Sequence, residues 1–139
     1  MPRLDRRLLD HPPKGVSVPA YDRSALTPGI VHIGLGAFHK AHQAALTDLA
    51  MTAEGGDWRI LGVSLRSPKA SDELHPQNGL YTLLVRGPEG VFPRGIGSVR
   101  EVLVAPRGPE QVIQALAREE TRIVSLTITE KGYGLDPRT

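Results

Sequence analysis

The sequence predicts an α/β domain built on a parallel core sheet, and three observations carry that prediction. A β-branched run, Ile30-Val31-His32-Ile33, ends in Gly34-Leu35-Gly36 and leads into a segment with helical periodicity. A second apolar run, residues 58–65, closes 31 positions after Gly34, the length of a strand–helix–strand unit. A third run, residues 121–129, follows another helical pattern and leads into a polar loop. With 139 residues the chain fits one domain with a real core. A net charge of +2 and 4% aromatics offer neither a basic patch nor a stacking platform, so nucleic acid is not a favoured partner. The lack of cysteine excludes disulfides, thiolate metal sites and a cysteine nucleophile, and fits a cytoplasmic location. No secretory leader is visible, and no apolar run approaches the roughly 20 residues that span a bilayer.

Residues 1–28 read as an arm, because Pro12-Pro13, Pro19 and Pro28 break any long helix. Residues 29–139 read as the domain. Its first strand covers 29–34, and a histidine inside such a strand, His32, is more often packed than catalytic. Residues 38–52 read as one helix with Phe38, Ala41, Ala45, Leu46, Leu49 and Ala50 on a common face, ended by Gly55-Gly56. The second strand follows over 58–65. Ser67-Pro68 starts a short helix, and Asn78-Gly79 marks a turn. Residues 80–85 and 91–96 form a hairpin around Gly87-Pro88-Glu89-Gly90, with Pro93 calling for an edge position. Residues 98–105 extend as further β structure. Residues 108–118 read as a helix with Val112, Ile113 and Leu116 on one face, and 121–129 as a third core strand.

The chemistry sits at the glycine turn. A strand feeding a glycine turn that opens a helix holds a phosphate, because backbone N–H groups point at the anion and the helix dipole favours it. Gly34 and Gly36 take the first two positions of the dinucleotide fingerprint, while His39 stands where the third glycine belongs. A plain strand-to-helix turn is the alternative. The end of the second strand carries Arg66 and Ser67 rather than an acid, which suits a 2′-phosphate or a solvated surface equally. Thr129, Glu130 and Lys131 close the last strand, where open α/β sheets bind ligands, though a solvated turn explains them too. His39 and His42 lack an acid or cysteine at ligand spacing, so no metal site is assigned.

Three blocks in order, Tyr21-Asp22-Arg23, Ile30 through Gln43, and Ile123 through Tyr133, resemble the mannitol dehydrogenase family of polyol-specific long-chain dehydrogenases. That family includes mannitol 2-dehydrogenase and fructuronate reductase. The resemblance implies a Rossmann-like NAD-binding domain with an inserted β segment over residues 80–105. It turns His39 from a departure into agreement and favours NAD over NADP. It implies pyrophosphate contacts from Gly34, Gly36, Ala37, Phe38 and His39. It places Arg66 near the adenosine ribose, and Thr129, Glu130 and Lys131 near the middle of the cofactor. In the family the catalytic lysine, in a Lys-x4-Asn-x2-His pattern, lies in a helical C-terminal domain. No such pattern occurs here, so no catalytic residue is assigned, and the chain is expected to be a truncated N-terminal portion, inactive alone. The intact enzyme would act on a sugar alcohol, ketose or hexuronate. A non-catalytic nucleotide-binding module is the alternative.

Overall fold

The computed structural model describes residues 3–129, 132 and 134. Strands β1 (Pro28–Ile33), β2 (Arg59–Ser64), β5 (Val99–Val104) and β6 (Ile123–Leu126) form one sheet in the order β5-β2-β1-β6, and every pairing in it is parallel. The chain therefore builds outward from β1 to β2 and β5, then crosses back to add β6 on the other side. That reversal makes the carboxyl ends of β1 and β6 a topological switch point, where doubly wound sheets hold their ligands. Strands β3 (Tyr81–Gly87) and β4 (Gly90–Ile96) form a separate antiparallel hairpin in which Leu84 faces Pro93.

Alternation along β1 splits the core into two layers. Ile30 joins Leu35, Ile60, Leu74 and Val99 on one face, with Ala44 of α3 (Gln43–Glu54) and Leu74 of α4 (Lys69–Leu74) packed there. Val31 joins Leu61 and Val63 on the other, covered by Val112 and Ala115 of α5 (Pro109–Ala117). Helices on both faces of a parallel sheet follow from this two-sided burial. Proline occupies the first position of α5, where its missing N–H costs nothing. Gly55, at φ +69°, ends α3 by donating its N–H to the Met51 carbonyl at 2.9 Å.

Four expectations need correction. Residues 99–104 belong to the core sheet and not to the inserted segment, which is only the hairpin. Gly97-Ser98 returns the chain, and the Ile60 N–H donates to the Ser98 carbonyl at 2.9 Å. The first helix is two, α2 (Ala37–Ala41) and α3, broken at His42. A face counted from Phe38 does not carry across that break, so α3 buries Ala44, Ala45, Asp48 and Met51 while Phe38, Leu46 and Leu49 are exposed. In α5 it is Val112 and Ala115 that are buried, with Ile113 exposed. The last strand spans four residues rather than nine and is the fourth of the core sheet.

The arm is fastened down and contains a short helix, α1 (Arg6–Asp10), capped by the Asp5 carboxylate. The Tyr21 hydroxyl donates to Asp48 at 2.6 Å. Asp48 is fully buried and also accepts from the Gly97 N–H at 2.9 Å and from Arg94 at 3.3 Å. One carboxylate thus joins arm, α3 and the end of the hairpin. Burial and the neighbouring Asp48 push the Tyr21 hydroxyl well above the ordinary tyrosine range, which keeps it a donor.

Candidate cofactor site

Gly34 has φ +94°, a left-handed conformation that side chains rarely adopt. It donates to the Val63 carbonyl at 2.9 Å, and a Cβ there would lie 3.4 Å from the Thr127 Cβ. The turn is therefore wedged between β2 and the segment after β6. Leu35 tucks beneath it, 6% exposed, into space left by Gly62 of β2, where a Cβ would stand 3.2 Å from the Leu35 Cβ. Gly36 caps α2 from an extended conformation. A Cβ on it would meet nothing nearer than the Gly34 carbonyl oxygen at 3.9 Å, so the space above is open. The first-turn amides of α2 have no partner within the helix and border that space.

A cleft of about 480 Å³ lies there, between the β1–α2 turn and the β2–α4 loop. Leu35, Gly36 and Ala37 line one wall, and Ser64, Ser67 and Lys69 the other. Glu73 at its rim sits 3.8 Å from Lys40 and 4.0 Å from Lys69. The Ser64 hydroxyl donates to the Ser67 carbonyl at 2.6 Å and shapes the second wall. The hairpin supports the first wall, since the Tyr81 hydroxyl donates to the Lys40 carbonyl at 2.6 Å.

The expected site residues separate into groups. Gly34, Gly36 and Ala37 form the turn at the cleft, with Phe38 one residue further, its ring 69% exposed. The His39 side chain is inside, 1% exposed, with its ring stacked on His32 at 3.6 Å between centroids. Neither of its ring nitrogens has a hydrogen-bond partner among the described residues. Burial, then the neighbouring His32, lower its pKa to about 4, so it is neutral at physiological pH. His32 is held between the Ser125 hydroxyl at 2.8 Å and the Thr127 hydroxyl at 2.9 Å, the packed role expected of it. Arg66 is exposed in the loop after β2 and does not line the cleft, whereas Ser64, Ser67 and Lys69 do. Thr129 is exposed beyond β6, and Thr127 is the residue that touches the glycine turn. Glu130 and Lys131 lie outside the described residues. Ser64 and Ser67 carried one readable signal, their place at the carboxyl end of a core strand; Lys69 lay past the turn and carried none.

A parallel sheet in this order, with a glycine turn beside its switch point, defines a Rossmann-type domain. Residues 28–138 match the Mannitol dehydrogenase Rossmann domain, and the chain belongs to that family. It is 46% identical over 129 residues to an uncharacterized oxidoreductase, YeiQ, of Escherichia coli, covering 91% of this chain and 26% of that protein. It is 43% identical to the mannitol 2-dehydrogenase of Pyrenophora tritici-repentis, covering 91% of this chain and 23% of that enzyme. The solved ternary complex of Pseudomonas fluorescens mannitol 2-dehydrogenase with NAD and D-mannitol superposes with a TM-score of 0.89 at 45% identity. That match covers 95% of this chain and 28% of the other. The chain thus spans about a quarter of the relatives it matches.

Proposed function

We propose that this chain is the NAD-binding portion of an oxidoreductase that transfers a hydride between NAD(H) and a sugar alcohol or its ketose, or a hexuronate. The observation that carries the reading is the open cleft lined by Leu35-Gly36-Ala37, just past Gly34, at the carboxyl ends of β1 and β2. These residues fit a dinucleotide. A positive φ shapes the turn, Gly36 leaves room for the pyrophosphate, and the α2 amides supply donors where the dipole favours an anion. NAD, when bound, supplies the hydride chemistry. The chain's own residues hold and orient it. Gly34, Gly36, Ala37 and Phe38 serve the pyrophosphate through their backbone, and His39 holds the turn from beneath. Ser64, Ser67 and Lys69 border the adenosine ribose with Arg66 beside them, and Thr129, Glu130 and Lys131 approach the middle of the cofactor. The arm (1–28) is fastened to the domain (29–139) that does this.

NAD rather than NADP is proposed because a relative that superposes closely was solved with NAD. Calorimetry tests both points. NADH is expected to bind, NADPH to bind more weakly, and Gly36→Val to weaken NADH by about tenfold or more, since charge-assisted hydrogen bonds to the phosphate are lost. Equal binding by Gly36→Val would remove the pyrophosphate from this turn, and tighter NADPH binding would reverse the cofactor assignment.

A further inference from the structure

A second cleft, of about 490 Å³, opens at the other end of the sheet. Four arginines line it: Arg6 from α1, Arg23 from the arm, Arg59 at the first position of β2 and Arg100 at the second position of β5. Arg59 and Ser64 stand at opposite ends of one strand, about 16 Å apart at the usual rise per residue, so this cleft is separate from the cofactor cleft. Asp10 and Asp22 also line it, and the Asp22 carboxylate already accepts from the Ser24 N–H at 2.9 Å and its hydroxyl at 2.6 Å. Among the described residues none of the four guanidiniums lies in an ion pair.

Arg59 is the telling residue. It is 2% exposed, a costly place for a charge without a counter-ion. Its Nη atoms donate to the carbonyls of Arg23 at 2.8 Å and Val99 at 3.0 Å, and its Nε has no partner among the described residues. Burial, then Arg23 and Arg100 nearby, pull its pKa down to about 10. Three guanidiniums that repel one another at a cleft leave an attractive potential for an anion, and their planar forks suit tetrahedral oxyanions.

We propose that this cleft binds a small phosphate-type dianion, free inorganic phosphate or a phosphomonoester, independently of the cofactor. The test titrates inorganic phosphate into the chain at fixed ionic strength, by calorimetry, for the wild type, Arg100→Ala, Arg6→Ala and Gly36→Val. Arg100 and Arg6 are exposed, so their removal leaves the fold intact, which circular dichroism checks. Saturable binding that weakens about tenfold in Arg100→Ala, weakens in Arg6→Ala and is unchanged in Gly36→Val supports the site. A competition arm with glycerol phosphate distinguishes the sources: displacement of phosphate by it marks a phosphomonoester site, and its failure to displace restricts the site to the free ion. No saturable binding overturns the proposal. So does binding indifferent to both arginines, or binding lost only in Gly36→Val, which puts phosphate at the glycine turn. Failure of NADH binding leaves this result unaffected.

Discussion

His39 shows how one side chain couples the glycine turn to the sheet. Its backbone belongs to the first turn of α2, at the cleft, while its ring lies flat on His32 of β1 with no partner for either nitrogen among the described residues. A protonated ring there would be a buried charge beside a second imidazole, which is why its pKa falls from 6.5 to about 4. The unfolded chain therefore binds the proton more readily. The stabilising contribution is complete above pH 6.5 and is lost as the pH falls through 4. The full shift corresponds to about 3.4 kcal/mol at most, of which about 2–3 kcal/mol is lost by pH 4.5. Urea unfolding at neutral pH and near pH 4.5 should show a drop in stability that is smaller in His39→Gln; equal drops would contradict the burial argument. The sequence made His39 visible but not its direction. A histidine in the third glycine position reads as a phosphate contact, and only the stacking on His32 shows that its ring points into the protein.

At the scale of elements, the turn is held by its neighbours. Leu35 fills the space that Gly62 leaves on β2, and Tyr81 of the hairpin clamps α2 through the Lys40 carbonyl. Gly62→Ala would press a Cβ against Leu35 and force it off its rotamer. The expected cost is about 1–3 kcal/mol in urea unfolding, with NADH affinity reduced alongside because the turn moves. A variant of wild-type stability would show that Leu35 repacks freely. The strands and the hairpin were legible because β-branched runs and Gly/Pro punctuation mark them locally. The break at His42 was not, since no proline or glycine stands there. Nor was the membership of residues 99–104. Whether a short strand pairs with a hairpin or with β2 depends on contacts about forty residues distant in the chain.

At the scale of the molecule, the two clefts described above lie at opposite ends of the sheet that the described residues form. The glycine turn sits beside the switch point and the arginines at the amino-terminal end of the strands. Beyond β1, strand β6 is the outermost strand among the described residues, with Ile123, Val124 and Leu126 all exposed, and such an edge can pair with a further strand. Among the described residues no helix is long and apolar enough to cross a membrane. The sequence disclosed the proposed cofactor end of this arrangement because its motif is contiguous. The arginine end stayed hidden because Arg6, Arg23, Arg59 and Arg100 meet only through the fold. The most direct test of the central claim is amide NMR of the chain titrated with NADH. Shifts concentrated at Gly34, Gly36, Ala37 and Phe38 and at Ser64 through Lys69, with Arg59 and Arg100 still, are the predicted result. An unmoved glycine turn, or shifts confined to the arginine cleft, would contradict it.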